Sequence, residues 1–355
     1  VGIQEVARVF YKDRPIIGLD ISQTGMKIMS IDRKKMLVTG YGSIDLDPAK
    51  VQQSLDTNDG YLTTNVMELV GKNLVGKLAS NHVVLGIPAG RTFTRTFTIP
   101  RQSEKQLRDA VELEVEQYIP IPMSSLYVDY EVIERTADQV MILMCAVPRT
   151  VVDSCVSIAQ SAGLRVCMVE PSISAVARLL ETTEEGHLPT VIVDIGPAST
   201  DIAVLDRSIR IAGSLNVGGN TFTLDIAKKL KIPLENAHQL KILNGLSAGS
   251  RQQKIQTALK PSLERIVAET RKVMRYYDER IEGHSKLEQM LIVGGGANVP
   301  GIGEYFTNEL VMPARVASPW QQLDFGKLPQ PGKQFRPRYI TVAGLASVDP
   351  NRMWQ

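Results

Sequence analysis

The sequence predicts an α/β fold built twice over, two domains of one design sharing a cleft. Three observations predict it. The chain has 355 residues, more than one hydrophobic core usually serves, so two domains are expected. The stretch GLDISQTGMKIMSIDR (18–33) returns as IVDIGPASTDIAVLDR (192–207), and Asp20 then aligns with Asp194, Ile28 with Ile202 and Asp32-Arg33 with Asp206-Arg207 without a gap. Each copy also opens a run of three short strands separated by turn residues, followed by helical spacing.

Composition narrows the class. The chain is 43% hydrophobic and 22% charged, with a net charge of +2, so a sizeable core can form and no basic face is dictated that would point to a nucleic-acid partner. No apolar run reaches the length of a membrane span, and the N-terminal residues lack the pattern of a signal peptide. VGIQEVARVF (1–10) has the spacing of a short amphipathic helix, although a frayed end is expected there. Cys145, Cys155 and Cys167 show no CxxC spacing and read as small core residues of a cytoplasmic protein. The four histidines lie far apart, which gives no zinc signature.

In order along the chain, IIGLDI, MKIMSI and MLVTGYGSI read as strands joined by the turns SQTG and DRKK. YLTTNVMELVGKNLVGKL spaces Leu62, Val66, Leu69 or Val70, Leu74 and Leu78 along one helical face, and VVLGIP is a strand. An inserted α/β unit is expected over 83–165. In it RTFTRTFTIP alternates Phe93 and Phe97 with Thr92, Thr94, Thr96 and Thr98, and SEKQLRDAVELEVEQYI is a helix with Ser103 as N-cap and Gln106 closing a capping box. LYVDYEVIE and QVMILMCAVP follow as a strand pair, then a helix ending near Gly163. LRVCMVEPSISAVARLL reads as strand, turn and helix. The second half repeats the three-strand opening from TVIVDIG, fills 219–282 with helices, and places MLIVGGGANVPGIGEYFTNEL as strand, glycine turn and helix. A Pro-bearing loop leads to a last helix in YITVAGLASV.

The repeated turn carries chemistry. Successive backbone N–H groups in a tight turn form a concavity that attracts phosphate oxygens. Ser22, Thr24, Ser199 and Thr200 add hydroxyls, and Lys27 a cation. Asp20 and Asp194 each end a strand, and two carboxylates are compatible with a bound phosphate when a cation sits among them. Mg²⁺ suits this role because it takes few carboxylates and fills its shell with water and phosphate. Gly294, Gly295 and Gly296, between a strand and a helix, allow close backbone approach to a flat group.

These residues resemble the actin-like ATPase superfamily, in which a first phosphate hairpin, a connecting helix, a second phosphate hairpin and an adenosine glycine turn occur in this order. Here they correspond to 18–32, 168–180, 192–206 and 291–303. The resemblance implies an actin-like (ribonuclease H-like) α/β fold with a nucleotide cleft that binds ATP and Mg²⁺. Asp20 and Asp194 would hold magnesium through water. Ser22, Gln23, Thr24, Lys27, Gly196, Ser199 and Thr200 would hold phosphate, and Gly218, Gly219, Lys241, Gly294, Gly295, Gly296 and Asn298 would frame the nucleoside. Glu170, in EPSISAVA, would orient an attacking water if ATP is hydrolysed; the alternative is a strand-end carboxylate capping the next helix. Pro197 removes one backbone donor toward phosphate. His238 stands where relatives have a glutamate.

The block from VVLGIPAG to DYEVIE, with ELEVEQYIPIP in it, resembles the PilM family of type IV pilus assembly. This implies an inserted 1C-type subdomain at 83–165 and a first actin-like half of 15–82, 166–190 and 339–355 after an N-terminal tail of 1–14. The second half would comprise 191–222 and 287–338, with a helical subdomain at 223–286. The resemblance implies a protein at the inner membrane through its partners. These would be the cytoplasmic tail of a PilN-like membrane protein, bound in a nucleotide-dependent manner, and other pilus components, with self-association as a further possibility. A cell-division filament protein resembling FtsA and a small-molecule kinase are the alternative readings. FtsA ends in an amphipathic membrane helix; this chain ends VDPNRMWQ. Arg265, Arg271, Lys272 and Arg275 interleave with Glu264, Glu269, Asp278 and Glu279, as on a solvated helix face.

Overall fold

Five of the six residues of Ile17–Ser22 (β1) are buried, a continuous apolar run of the kind a strand needs when both its faces are covered. In this computed structural model, which describes residues 15–349 apart from 58, 185, 248–251 and 282, β1 lies inside the sheet of a first unit. The possible helix over residues 1–10 falls outside the described residues. The chain returns antiparallel as Gly25–Asp32 (β2) and Leu37–Asp45 (β3), and Leu74–Gly76 (β4) pairs with β3. On the other side of β1, His82–Ile87 (β5) and Arg165–Pro171 (β9) run parallel to it, giving the order β4-β3-β2-β1-β5-β9.

Helices cover both faces. Ile17, Leu19, Ile21 and Ile28 pack with Leu62, Val66 and Leu69 of Tyr61–Gly71 (α2) and with Ile158 and Ala159 of Arg149–Ser161 (α4). On the opposite face Ile16 and Val84 meet Ala175 of Ser172–Thr183 (α5) and Leu345 of Ile340–Ala346 (α10). The last helix approaches the strand backbone so closely that a Cβ on Gly18 would lie 2.5 Å from the Val342 carbonyl oxygen.

The second unit repeats the plan. Thr190–Ile195 (β10), Thr200–Asp206 (β11) and Ser208–Leu215 (β12) form the antiparallel run, while Gln289–Val293 (β13) and Ala314–Val316 (β14) continue in parallel. The order β12-β11-β10-β13-β14 matches β3-β2-β1-β5-β9 strand for strand. Even the irregularity repeats: the β2–β3 ladder slips between Ser30 and Ile31, and the β11–β12 ladder slips between Val204 and Leu205, the same step of the duplicated sequence. The helical segment expected over 219–282 resolves into Gly219–Leu230 (α6), Leu234–Leu243 (α7) and Gln252–Arg280 (α8); α8 supplies Leu259, Leu263, Ile266 and Tyr277 to the core.

The stretch expected as one insertion over 83–165 divides. Its flanks, β5 and α4, belong to the first unit, and the separate three-stranded sheet consists of Phe93–Pro100 (β6), Leu126–Arg135 (β7) and Gln139–Pro148 (β8) in the order β6-β8-β7. This sheet packs on Val111 and Val115 of Leu107–Tyr118 (α3). Residues Phe93–Ala146 group with the second unit, as does Met141 with its core. Buried Arg210 bridges the two parts of that unit: Nε donates to the Asp206 carbonyl at 2.9 Å, and Nη2 reaches Glu134 at 3.4 Å. Residues 319–349, part of which was expected in the second half, group with the first unit, where the Val38 amide donates to the Asp324 carbonyl at 2.7 Å.

Local chemistry moves three boundaries. Arg101–Gln106 forms a 3₁₀ turn, so the expected helix begins at Leu107 with no side-chain cap from Ser103. Helix α2 stops at Gly71, a weak helix former, and Leu74 instead extends the open edge of β3. Pro48–Thr57 (α1) is a helix the periodicity did not reveal. Its signal is Asp47-Pro48: proline suits a first helical turn, and Asp47 Oδ1 accepts the Ala49 amide at 2.9 Å.

Candidate functional site

The first hairpin tip is built from its ladder. Asp20 stands opposite Lys27, and Ser22 opposite Gly25. Lys27 Nζ donates to Asp20 Oδ2 at 3.1 Å and to Ser22 Oγ at 3.0 Å, while Ser22 Oγ donates to the Gly25 carbonyl at 2.8 Å. Asp20 is 5% exposed, so the Lys27 charge offsets what would be a costly buried carboxylate. The resemblance puts Lys27 on phosphate and Asp20 on metal; in the structure the two partner each other. Thr24 uses its carbonyl to accept the Leu46 amide at 2.9 Å. Behind the turn, Ser22, Gln23, Gln52, Arg91 and Cys155 line a cavity of about 120 Å³.

The second hairpin has the same frame with different charges. Asp194 stands opposite Asp201, the position equivalent to Lys27, and Asp201 Oδ1 accepts the Ser214 hydroxyl at 2.6 Å. One hairpin thus presents a neutral carboxylate–ammonium pair and the other two carboxylates. Asp201 was not among the expected site residues; repeating the cross-strand offset of Lys27 would have found it. The Gly196 amide donates to Ser199 O at 2.9 Å and closes the turn. Thr200 is fully buried and its hydroxyl donates to the Val217 carbonyl at 2.7 Å, which makes it a brace between strands.

Helix α6 begins against this turn. The Gly219 amide donates to Gly196 O at 2.9 Å and the Asn220 amide to Pro197 O at 2.8 Å. Two of the N–H groups that a helix start leaves unpaired therefore hold the hairpin tip, and Pro197, unable to donate, contributes its carbonyl. Gly218 lies so close to the turn that a Cβ there would be 2.5 Å from Gly196 O. Lys241, 7% exposed, donates from Nζ to Gly219 O and to Thr223 Oγ1, both at 2.8 Å. No carboxylate accompanies these bonds, and burial lowers its pKa from 10.5 to about 8. A buried ammonium with neutral partners is an anion-seeking group.

The glycine turn belongs to the same unit. Gly294 has φ 82°, and a Cβ there would overlap Asp194 Oδ1 and the Ile195 carbonyl. A Cβ on Gly296 would overlap the Ile195 side chain, whereas Gly295 faces open space. Gly294 and Gly296 thus seat the turn on β10, and Gly295 is the member of the trio open to another molecule. Asn298 closes the 3₁₀ turn Gly295–Asn298 and is half-buried.

Glu170, at the end of β9, is 6% exposed. Arg178, two turns along α5, grips both its oxygens, with Nη1 at 3.0 Å, and also donates to the Gly344 carbonyl from Nη2 at 3.1 Å. The capping alternative is not what forms, since the helix after Pro171 has no side-chain cap; a salt bridge pins β9 and α5 to α10. Burial pushes the Cys155 thiol up to about 12 and the Cys167 thiol up to about 11, which keeps both protonated near neutral pH. Among the described residues no cluster of three or more His, Cys, Asp or Glu could hold a metal ion.

Comparison with known proteins agrees with this frame. The solved structure of a PilM-PilN type IV pilus biogenesis complex superposes with TM-score 0.75 and 20% identity over 94% of this chain and 97% of that one. The ethanolamine utilization protein EutJ from Carboxydothermus hydrogenoformans gives 0.56 and 19% over 93% and 88%, and MreB 5 of Spiroplasma citri bound to AMPPNP gives 0.51 and 15% over 94% and 95%. These likenesses establish a two-domain actin-like α/β fold. In sequence, cell division protein FtsA of Neisseria meningitidis is 38% identical over 82 residues, 23% of this chain and 19% of that protein. EutJ of Salmonella typhimurium is 30% identical over 152 residues, 42% of this chain and 47% of that one. These curated relatives are matched over less than half their length. The family described as "Type IV pilus assembly protein PilM" matches residues 18–348, and the chain belongs to that family.

Proposed function

We propose that the chain is an ATP-binding adaptor of type IV pilus assembly whose nucleotide state sets its grip on the cytoplasmic tail of a PilN-like inner-membrane protein. The observation that carries the reading is the duplicated hairpin, with Asp20 and Asp194 at the same step of two ladders whose strand orders and slips coincide. The chemistry is that of a Mg²⁺–phosphate complex. The carboxylates Asp20 and Asp194 suit a magnesium ion that keeps its waters and takes its remaining ligands from phosphate. Lys27, Ser22 and Ser199 offer donors to those phosphates, Gly295 leaves room beside the glycine turn, and Lys241 supplies a buried positive charge. When bound, the ion would neutralise phosphate charge; Lys27 would then donate to a phosphate oxygen in place of Asp20, leaving the Asp20 carboxylate to help hold the hydrated ion.

Glu170 is paired with Arg178, which favours a binding role over rapid hydrolysis. Binding suffices for a switch, because a ligand shifts a two-state equilibrium through its differential affinity. The PilN-like partner is supported by membership of the family and by the likeness to the PilM-PilN complex. Such a partner would tie the chain to the inner membrane; among the described residues no helix is long and apolar enough to cross one. The exposed Leu113 and Tyr130 of the three-stranded unit are candidate tail contacts.

Isothermal titration with ATP and Mg²⁺, followed by fluorescence anisotropy of a labelled tail peptide with and without nucleotide, tests both parts. The expected result is saturable ATP uptake whose strengthening by Mg²⁺ is lost in Asp20→Ala/Asp194→Ala, and a tail affinity that changes with nucleotide and weakens in Leu113→Asp or Tyr130→Asp. Nucleotide uptake unaffected by the double alanine variant would overturn the site assignment.

A further inference from the structure

A second concavity in the same unit is independent of the nucleotide reading. Arg95 of β6, Tyr118 at the end of α3, and Lys272, Arg275, Tyr276, Glu279 and Arg280 of α8 line a cavity of about 320 Å³. Four cations and one carboxylate surround it. Arg95 is its fixed floor: the guanidinium lies 3.3 Å from the Tyr118 ring centroid and 5.9 Å from that of Tyr276, and its Nε is 2.8 Å from Glu114. Lys272 pairs with Glu269 at 3.2 Å, on an exposed face where such a pair is easily exchanged. Arg275 and Arg280 have no ion-pair partner among the described residues.

The sequence pattern of this helix predicts a solvated face with charges cancelled by interleaved carboxylates. The structure divides that face. Arg271 turns to Glu309, donating to its carbonyl at 2.5 Å, while Lys272 and Arg275 join Arg95 and Arg280 around the cavity. Among the described residues Arg275 and Arg280 stand without an ion pair beside the paired Arg95 and Lys272; these like charges repel one another, and a bound anion relieves that repulsion.

We propose that this cavity binds a phosphate-bearing ligand through Lys272, Arg275 and Arg280 over the Arg95–Tyr118 floor. A volume of about 320 Å³ is at the small end for ligand pockets, which suits a compact head group. A phosphomonoester or diphosphate brings two or more negative charges and several acceptor oxygens, whereas a single carboxylate leaves one of the two unpaired arginines unmatched. Guanidinium groups are suited to the task because they bind phosphate oxygens two at a time and stack on aromatic rings. The same group could arrive on a soluble organic phosphate or on a lipid head group.

The test uses the full chain and inorganic pyrophosphate in Mg²⁺-free buffer, measured by isothermal titration at two salt concentrations, alongside co-sedimentation with vesicles of equal parts phosphatidic acid and phosphatidylcholine. Arg275→Ser/Arg280→Ser should weaken the anion by roughly tenfold or more, the effect of losing charge-assisted hydrogen bonds, and should flatten the salt dependence. Glu279→Gln, at an exposed position that tolerates change, should tighten it. Asp194→Ala should leave this binding unchanged, which separates the cavity from the nucleotide site. Pyrophosphate binding without vesicle binding assigns the ligand to soluble phosphates; vesicle binding lost in the arginine variant assigns it to a head group. The proposal fails if neither probe binds, or if binding survives in Arg275→Ser/Arg280→Ser, or if it is lost only in Asp194→Ala.

Discussion

Asp194 and Gly294 occupy one another's space: the carboxylate Oδ1 sits where a Gly294 side chain would begin, and Gly294 holds φ 82°. The hairpin aspartate and the glycine turn are therefore one structural unit. A methyl group at Gly294 must both adopt a left-handed backbone and displace Asp194. Gly294→Ala is expected to lower stability by roughly 2–4 kcal/mol, the sum of the left-handed penalty and overpacking, and to weaken ATP binding in the same variant. Gly295→Ala, next door in open space, is expected to be nearly neutral for stability. Urea unfolding of the pair checks this contrast; equal losses would show that close packing is not what the glycines provide.

Lys241 predicts a pH dependence. Its folded pKa of about 8 lies below its ordinary 10.5 because burial disfavours the charged form. Below pH 8 the group is charged in both states and the folded state carries the burial cost. Between about 8 and 10.5 the unfolded chain binds more protons, so this residue makes stability rise with pH through that window, by roughly 3 kcal/mol in all. Lys241→Met should remove that rise and stabilise the ligand-free protein at neutral pH while weakening nucleotide binding. An anionic ligand should raise the lysine's pKa, so binding near pH 8.5 should take up a proton in the parent and not in the variant. Titrations in buffers of different ionisation enthalpy read this directly.

How much of this was legible in the sequence depended on what each residue's role required. The duplicated strands were legible because β1 and β10 are buried along nearly their whole length and had to be apolar. The repeat also hid divergence. Asp32 and Asp206 align, yet Asp32 accepts the exposed Lys34 amide at 3.1 Å, while Asp206 is buried and accepts the Tyr277 hydroxyl at 2.8 Å. Thr200 reads as a phosphate donor because a hydroxyl beside a turn looks the same whether it faces ligand or the Val217 carbonyl. The Glu170–Arg178 pair spans one strand end and two helical turns, and no local pattern marks it. Helix α1 escapes the periodicity because its signal is the Asp47 cap rather than an apolar stripe.

The Glu170–Arg178 bridge predicts a stability effect. Removing the guanidinium leaves a buried carboxylate without its cation, so Arg178→Ala should cost roughly 3 kcal/mol and loosen α10 through the lost Gly344 bonds. Glu170→Gln should lower stability and leave nucleotide uptake intact. Thermal unfolding and single-turnover ATP hydrolysis, measured on the same samples, separate the roles. Turnover abolished in Glu170→Gln at an unchanged melting temperature would restore a catalytic assignment.

The Asp20–Lys27 pair makes the most discriminating prediction about magnesium. In the structure each neutralises the other across the ladder at 3.1 Å. Phosphate must draw Lys27 away, and the cost of leaving Asp20 is offset only if a cation takes its place. Asp20→Asn removes that cost: Lys27 is then free for phosphate, so ATP should bind without Mg²⁺ at least as well as to the parent, and Mg²⁺ should no longer improve binding. Lys27→Met should instead destabilise the ligand-free protein by roughly 3 kcal/mol, because it strands a buried carboxylate. The double variant Asp20→Asn/Lys27→Met should recover part of that loss, a coupling that a double-mutant cycle measures. If Mg²⁺ strengthens ATP binding equally in the parent and in Asp20→Asn, Asp20 does not serve the ion and Lys27 alone defines this half of the site.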